Sequence, residues 1–294
     1  MTFPRLGAHP LVLDGGLSNQ LQDQGCDLRD ALWTARVLAE EPEQIVRAHA
    51  AYVRAGAQVV TTAGYQASFE GFARRGIGRA AAVRLFGDSV RLARAAGARW
   101  VAASVGPYGA VLADGSEYRG RYGLSRAELV RFHRPRIEAM AAAGPDVLAL
   151  ETVPDVREAE ALLAAARGCG VPVWLSYTVA NGRTRAGQPL AEAFAVAAGE
   201  EQVVAVGVNC CQPREVAEAV GLAVAVTGKP AVAYPNSGEG WDAARRTWRG
   251  PAAGPAALAG EWCAAGARLV GGCCRVGPRG IAELAAVVGA ADDS

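Results

Sequence analysis

The stretch Val203-Val204-Ala205-Val206-Gly207-Val208 is almost continuously apolar, and Asn209-Cys210-Cys211 follows it directly. A short apolar run without polar alternation is typical of a strand that is buried on both faces of a parallel sheet. Runs of this kind recur along the chain, at Leu11–Leu13, Gln58–Thr62, Trp100–Val105, Val147–Leu150, Val171–Tyr177, Val203–Val208, Ala231–Tyr234 and Leu269–Gly272. The sequence therefore predicts eight strands of one parallel sheet.

Segments with helical features separate these runs. Ser125-Arg126-Ala127-Glu128 has the pattern of a capping box at a helix start. Several segments end in an Ala-Gly pair, which suits the left-handed residue that closes a helix: Ala55-Gly56, Ala96-Gly97, Ala143-Gly144 and Ala265-Gly266. Eight strands that alternate with helices predict a (β/α)8 TIM barrel. The alternative is a doubly wound open sheet, but Asp14-Gly15-Gly16 does not continue as the G-x-G-x-x-G fingerprint of such sheets.

Length and charge exclude several classes of protein. The chain has 294 residues, and a barrel needs ~250, so we expect one barrel domain over residues 1–294. The formal net charge of +1 gives no field that would recruit nucleic acid or an anionic membrane. The first ten residues lack the apolar core of a targeting segment, and no apolar run reaches the ~18 residues of a membrane span. We expect a cytoplasmic protein, as a monomer or a small homo-oligomer.

Polar residues follow most of the predicted strands. In a TIM barrel the chemistry takes place at the carboxyl ends of the strands, so these residues should converge on one face. They are Asp14, Thr61-Thr62, Glu151-Thr152, Tyr177-Thr178, Asn209-Cys210-Cys211, Asn236-Ser237 and Cys273-Cys274. The long segments Pro107–Gly123 and Pro235–Gly254 are predicted as loops over the same mouth. Acids, amides and thiols on one face predict a binding or catalytic site.

The two cysteine doublets are the most specific part of this pattern. Cys210-Cys211 and Cys273-Cys274 follow predicted strands that are separated by only one other strand, so their thiols can approach each other. Thiolates are preferred zinc ligands, and the C-x2–4-C spacing of a structural zinc site is absent. Three thiolates that hold a metal with one open position would make a catalytic or thiol-binding site. The alternative is that the cysteines of the two doublets are buried packing residues. We expect packing roles for the three single cysteines, Cys26, Cys169 and Cys263.

The chain resembles the zinc-dependent homocysteine S-methyltransferases, and most closely the branch that uses S-methylmethionine. The resemblance covers nearly the whole chain and is most specific in the combination of Gly-x-Asn-Cys with Gly-Gly-Cys-Cys. It is carried by Leu13-Asp-Gly-Gly16, Thr61-Thr-Ala-Gly-Tyr-Gln66, Ser104-Val-Gly-Pro-Tyr108, Glu151-Thr152, Gly207-Val-Asn-Cys210, Tyr234-Pro-Asn-Ser237 and Gly271-Gly-Cys-Cys274. The resemblance implies a zinc-dependent methyltransferase that makes methionine from homocysteine.

The resemblance also implies roles for individual residues. Cys210, Cys273 and Cys274 would be the zinc ligands, and they would act in catalysis by activating the substrate thiol through the metal. Asp14 and Glu151 would hold the homocysteine ammonium. Cys211 has no assigned role, because the single family ligand follows the asparagine directly.

Three further residues are candidates on chemical grounds alone. Asn209 and Asn236 can hold either the carboxylate of the amino-acid substrate or the cysteine loops. Tyr65 can face a cationic sulfonium through its ring, or it can be a packing residue.

The methyl donor is the least determined part of the prediction. A site with three cysteinates is anionic even with zinc bound, so it favours a positively charged donor such as S-methylmethionine or S-adenosylmethionine. The alternatives are betaine as donor, a selenol as acceptor, a non-catalytic barrel that binds zinc or thiols, and a redox protein in which Cys273 and Cys274 form a disulfide. The chain has Ser18-Asn19-Gln20 where close relatives often have Ala-Thr-Glu, so an amide replaces an acid near the predicted mouth.

Overall fold

The computed structural model describes residues 3–28, 34–242, 247–250 and 254–290. The strands are β1 (Leu11–Val12), β2 (Val59–Thr61), β3 (Trp100–Val105), β4 (Val147–Val153), β5 (Val173–Tyr177), β6 (Val179–Ala180), β7 (Arg183–Thr184), β8 (Val203–Asn209), β9 (Ala231–Tyr234), β10 (Gly240–Asp242), β11 (Thr247–Arg249) and β12 (Ala267–Val270). The α-helices are α1 (Leu17–Asp23), α2 (Thr34–Glu40), α3 (Pro42–Arg54), α4 (Phe69–Arg74), α5 (Arg79–Ala95), α6 (Tyr108–Leu112), α7 (Arg126–Ala141), α8 (Val156–Ala166), α9 (Leu190–Ala195), α10 (Val216–Thr227), α11 (Ala256–Ala265) and α12 (Pro278–Ala290). Short 3-10 helices span Ser116–Tyr118 and Pro213–Glu215.

Eight strands form one parallel sheet in the order β1-β12-β9-β8-β5-β4-β3-β2. A parallel bridge between Leu13 and Val59 joins its two ends. The backbone N–H of Asp14 donates to the carbonyl of Val59 at 3.1 Å and continues this closure. The sheet is therefore a closed barrel with helices outside, as predicted, and the doubly wound alternative is wrong.

The predicted strands agree with the structure at different precision. β3 has the predicted bounds, whereas β4 continues to Val153 and includes Glu151, which we expected to follow the strand. The prediction for the last strand was wrong by two residues at each end, because Gly271 and Gly272 lie beyond β12. No Cβ fits on Gly272 without meeting the Val276 side chain at 2.2 Å, so close packing of the following turn explains this glycine.

The helix signals agree with the structure more closely. Ser125 caps α7 together with Glu128, as the capping box predicts. The glycines of the four Ala-Gly pairs all have a positive φ, as expected of residues that close a helix: Gly56, Gly97, Gly144 and Gly266. Within the described residues, no helix is long and apolar enough to cross a membrane.

The two predicted mouth loops contain local structure. Pro107–Gly123 includes α6 and the first 3-10 helix, and Pro235–Gly254 includes the antiparallel pair β10–β11. Residues 243–246 and 251–253 of the second loop lie outside the described residues.

The barrel interior is filled by side chains of unequal size. One buried cluster contains Ala102, Ala149 and Ala205 together with the large rings of Trp174 and Tyr234, whose centroids lie 6.2 Å apart. The Trp174 indole N–H donates to the Tyr234 hydroxyl at 3.1 Å. The apolar packing of the barrel thus ends in a polar layer, which forms the floor of the site described next.

Candidate active site and metal centre

A cavity of about 820 Å³, including its open mouth, lies at the carboxyl ends of the strands. The lining includes residues from the carboxyl ends of β2, β3, β4 and β9 and from the segments after β1, β2, β3, β8 and β12. Its polar and titratable side chains are Asp14, Ser18, Asn19, Thr34, Thr61, Thr62, Tyr65, Ser104, Glu117, Tyr118, Glu151, Thr152, Cys210, Tyr234, Cys273 and Cys274. Of the residues predicted at the strand ends, these line the cavity: Asp14, Thr61, Thr62, Glu151, Thr152, Cys210, Cys273 and Cys274. The others do not line it: Tyr177, Thr178, Asn209, Cys211, Asn236 and Ser237.

Three thiols meet at one side of this cavity. The Sγ atoms of Cys210, Cys273 and Cys274 all lie within 4.8 Å of one another. The Cys210 and Cys274 sulfurs are 3.6 Å apart, and none of the seven cysteines, all of which lie in the described ranges, forms a disulfide. Three sulfurs at this spacing match the cysteine-rich part of a tetrahedral metal site.

The protonation of the cluster is uneven. Hydrogen bonds from Cys210 and Cys273 hold the pKa of the Cys274 thiol well below its usual range. Hydrogen bonds with Cys210 and Cys274, together with burial, raise the pKa of the Cys273 thiol well above its usual range. These shifts favour ionisation of Cys274 over Cys273, and a bound cation would favour ionisation of all three thiols.

Neighbouring strand ends hold the cysteine loop in place. The Cys273 N–H donates to the Pro235 carbonyl at 2.7 Å, and the Cys274 N–H donates to Oδ1 of Asn236 at 3.1 Å. A Cβ on Gly16 would meet the Cys273 carbonyl oxygen at 2.7 Å, so the glycine after strand β1 permits the close approach of the two loops. Asn236 therefore positions the cysteine loop, and its side chain does not line the cavity.

Two buried carboxyl groups lie on the floor of the cavity. Asp14 accepts hydrogen bonds from the Thr61 N–H and hydroxyl, both at 2.8 Å. Glu151 accepts from the Ser104 hydroxyl and, at 2.9 Å, from the Tyr234 hydroxyl. Burial raises the pKa of Asp14 to about 8 and that of Glu151 to about 7, against the effect of these hydrogen bonds.

Asn209 supports the backbone beside Glu151. Its Oδ1 accepts from the Thr152 N–H at 2.7 Å and from the Ser176 hydroxyl at 2.8 Å. Its Nδ2 donates to the Thr152 hydroxyl at 2.8 Å. Thr152 and Cys210 both have a positive φ, of 56° and 51°, which costs energy in residues other than glycine. The Asn209 side chain is fully buried below the cavity and holds this left-handed turn.

The mouth loop after β3 contributes two residues that the strand-end reasoning missed. Tyr118 keeps 39% of its surface exposed, while its hydroxyl lies 3.1 Å from Sγ of Cys210. Glu117 is 5% exposed and lines the cavity, and its Oε2 atom has no hydrogen-bond partner. Burial raises the pKa of Glu117 to about 7. Tyr65 also lines the cavity, as predicted, and is partly buried.

A buried polar network anchors this mouth loop from behind. Glu158 of α8 accepts from the Tyr108 N–H at 2.6 Å and from the Tyr122 hydroxyl at 3.1 Å. Its Oε1 lies 3.0 Å from Nε2 of His133, and both side chains are fully buried. Tyr108 and Tyr122 bracket Glu117 in the chain, so the network fixes both ends of the segment that covers the cavity.

The charge of the cavity has one sign. Three carboxyl groups and three thiols line it, and no Lys, Arg or His is among the described lining residues. Such a cavity attracts cations and repels anionic ligands that bring no positive charge of their own.

The remaining candidates lie outside the cavity. Cys211 is 1% exposed and packs in the main hydrophobic core, as do the partly buried Cys169 and Cys263, and Cys26 belongs to a smaller apolar cluster. Gln20 is the amide residue at the position where close relatives often have a glutamate. Its side chain donates to Oε1 of Gln24 at 3.3 Å and does not line the cavity.

Comparison with known proteins agrees with this geometry. The sequence model described as "Homocysteine S-methyltransferase" matches residues 11–288. The chain belongs to the homocysteine S-methyltransferase family. It is 46% identical to the homocysteine S-methyltransferase of Escherichia coli, in an alignment of 292 positions that covers 94% of each chain. It is 42% identical to the homocysteine S-methyltransferase YbgG of Bacillus subtilis, over 96% of this chain and 95% of the relative.

A solved structure of the family is similar throughout. The metallated form of the homocysteine methyltransferase MmuM from Escherichia coli superposes with a TM-score of 0.85 at 44% identity, over 95% of this chain and 96% of that one. In this member of the homocysteine S-methyltransferase family, the three clustered thiols supply the soft donor set that a metal site needs.

Proposed function

We propose that this chain transfers a methyl group from S-methylmethionine to the thiol of homocysteine and forms methionine. The observation that carries the proposal is the cluster of Cys210, Cys273 and Cys274 in a cavity lined by carboxyl groups and by no described basic side chain. The thiols suit activation of a substrate sulfur, and the negative cavity suits a sulfonium donor. Membership of the homocysteine S-methyltransferase family supports both parts.

Cys210, Cys273 and Cys274 would hold Zn²⁺. When bound, the metal would keep the homocysteine sulfur deprotonated at neutral pH without a separate base. The opposite pKa shifts of Cys273 and Cys274 fit this assignment, because a divalent cation would stabilise all three as thiolates.

Asp14 and Glu151 would hold the ammonium group of homocysteine. Each already accepts two hydrogen bonds, and these orient the carboxylates toward the cavity and leave lone pairs for an N–H donor. Tyr65 would present its ring to the sulfonium, because a cation over an aromatic face is attracted to it. Asn209 and Asn236 would keep the Thr152 turn and the cysteine loop in place.

The transfer itself balances without a further reactant. A bond forms between the homocysteine sulfur and the methyl carbon, while the bond from that carbon to the sulfonium sulfur breaks. The leaving sulfur keeps the electron pair and becomes a neutral thioether, and the thiol proton leaves to solvent. The protein contributes alignment of the two sulfurs with the methyl carbon, which is a large part of the acceleration in such displacements.

The test is a methionine assay on purified protein whose zinc content is measured at the same time. S-methylmethionine, S-adenosylmethionine and betaine are each supplied with homocysteine. We expect methionine with S-methylmethionine, and zinc near one equivalent per chain. Zinc-loaded protein that forms no methionine from either sulfonium would overturn the proposal and favour a barrel that only binds metal or thiols.

Two cysteine variants locate the site. Cys273→Ala should lose both zinc and methyl transfer. Cys263→Ala should keep both, because Cys263 packs partly buried against the core. Equal losses in the two variants would show that the site is elsewhere.

We also propose that residues 1–294 form one domain of a cytoplasmic enzyme, as a monomer or a small homo-oligomer. The eight barrel strands extend from residue 11 to residue 270, which supports a single domain. The thiol cluster needs reducing conditions, which the cytoplasm provides. Limited proteolysis, light scattering and cell fractionation test these three statements separately.

A further inference from the structure

Among the carboxyl groups that line the cavity in the described residues, Glu117 is the one with an oxygen that accepts no hydrogen bond. Only 5% of the surface of Glu117 is exposed, and the residue lines the cavity. Oε2 is buried and accepts no hydrogen bond. Among the described residues, none with a basic side chain forms an ion pair with it.

A buried carboxylate in this state is expensive, because no opposite charge offsets its desolvation and the backbone N–H of Glu117 itself is the one donor near it among the described residues. Asp14 and Glu151 do not share this deficit, since Thr61, Ser104 and Tyr234 supply hydrogen bonds to them. A ligand that brings N–H donors and a positive charge would remove the deficit of Glu117.

The position of Glu117 separates it from the other two acids. Asp14 and Glu151 belong to the ends of barrel strands and form the floor of the cavity. Glu117 belongs to the mouth loop, and the next residue, Tyr118, brings its hydroxyl to 3.1 Å from Sγ of Cys210. A second substrate that approaches the sulfur cluster from the open mouth therefore meets Glu117.

We propose that Glu117 binds the ammonium group of the amino-acid methyl donor and thereby selects sulfonium donors that carry a free amino group. This inference rests on the proposed function. The ammonium is the better partner for Oε2 than the sulfonium, because a sulfonium has no N–H or O–H group and cannot donate a hydrogen bond. Each substrate then has its own carboxylates, with homocysteine at the floor and the donor at the mouth.

The test compares S-methylmethionine with 4-(dimethylsulfonio)butanoate, which keeps the sulfonium and the carboxylate and lacks the amino group. The analogue is measured both as a donor and as an inhibitor of the S-methylmethionine reaction, so its binding is measured whether or not it reacts. The zinc-loaded wild type and Glu117→Gln are compared, with zinc content and circular dichroism as checks of the fold.

We expect the wild type to prefer S-methylmethionine to the analogue, and Glu117→Gln to lose that preference. Loss of one charge-assisted hydrogen bond should lower kcat/KM for S-methylmethionine about 10- to 100-fold. The inhibition constant of the analogue should be the same in both proteins, and the KM of homocysteine should not change. Glu151→Gln is the reciprocal control, and it should raise the KM of homocysteine instead.

Three outcomes would overturn the assignment of Glu117: a wild type that does not distinguish the two sulfonium compounds, a Glu117→Gln variant that still prefers S-methylmethionine, or a rise in homocysteine KM in that variant. An equal loss with both compounds would show a role in loop structure and would also overturn it. Each of these requires an active wild type. Failure of the proposed function is different, because the wild type itself would then form no methionine from S-methylmethionine.

Discussion

Replacement of Asn209 by alanine should weaken both the fold and the homocysteine site. The variant loses three buried hydrogen bonds, from the Thr152 N–H, to the Thr152 hydroxyl and from the Ser176 hydroxyl. At about 1 kcal/mol for each bond, the free energy of unfolding should fall by about 3 kcal/mol. The left-handed backbone of Thr152, next to Glu151, would then lose its support.

The size of this effect on thermal unfolding follows from chain length. An entropy of unfolding of ~2.1 cal/mol/K per residue, over 294 residues, gives ~0.6 kcal/mol/K. A loss of about 3 kcal/mol should therefore lower Tm by about 5 °C. The KM of homocysteine should rise about tenfold, because a displaced Glu151 loses a charge-assisted hydrogen bond to the ammonium.

Asn236→Ala is the matched control for this experiment. Asn236 accepts a single hydrogen bond, from the Cys274 N–H, so its loss should cost about 1 kcal/mol and less than about 2 °C in Tm. Its functional effect should be weaker zinc retention instead of a higher homocysteine KM. Calorimetry and steady-state kinetics measure both quantities. A higher homocysteine KM without any loss of Tm in Asn209→Ala would refute this reasoning and show that Asn209 contacts the substrate directly.

Three further variants test the fold and the charge of the site. Gly207→Ala should destabilise the barrel by about 3 kcal/mol in chemical denaturation, because the new Cβ would lie 1.9 Å from the Val232 carbonyl oxygen. Gly221 on α10 has open space around the position of a Cβ, so Gly221→Ala should stabilise the protein by ~0.5–1 kcal/mol in the same assay. In metal-free protein, burial raises the pKa of Asp14 to about 8, so the folded state binds a proton more tightly than the unfolded chain and Tm should fall as pH rises from about 4 to 8. Asp14→Asn should reduce this dependence of Tm on pH. An unchanged dependence would show that Asp14 is not the titrating group. Glu158→Ala should lower the free energy of unfolding by about 3 kcal/mol and speed amide hydrogen exchange in residues 107–123, because it removes the buried anchor of the mouth loop. Its control is Glu160→Ala, which removes a surface contact of 3.9 Å to Arg126. This control should change the free energy of unfolding by less than about 0.5 kcal/mol and leave exchange unaltered.

The barrel could be predicted from the sequence because its signals are local and repeated. A strand that is buried on both faces must be apolar along its length, so each of the eight runs was visible on its own, and β3 was located at its observed bounds. The ends of β4 and β12 were placed less well. Glu151 belongs to β4, where the pairing with β5 is interrupted between Leu150 and Val153, and hydropathy alone does not reveal such an irregularity.

The convergence of Asp14, Glu151 and the cysteines could be predicted for a related reason. Parallel strands that close into a barrel must end on one face, so residues next to those ends meet whatever their distance in sequence. The same rule overestimated Asn209. Its position at the end of β8 is as predicted, but the side chain is fully buried and bonded to Thr152 and Ser176. Whether an amide serves a substrate or its own backbone depends on side-chain direction, which the sequence does not contain.

Glu117 and Tyr118 show where strand-end reasoning fails. They lie 12 and 13 positions after the end of β3, so only the path of the loop brings them to the cavity. That path depends on distant contacts: Glu158 holds Tyr108 and Tyr122 on either side, and Tyr118 approaches Cys210. The length of the Pro107–Gly123 segment was a usable signal, because a long loop at the mouth of a barrel commonly carries function. An acid inside such a loop is ordinarily solvated at no cost. Its burial, with no cation beside it in the part of the chain that the structure describes, is the reason for our proposal that a substrate supplies the missing charge.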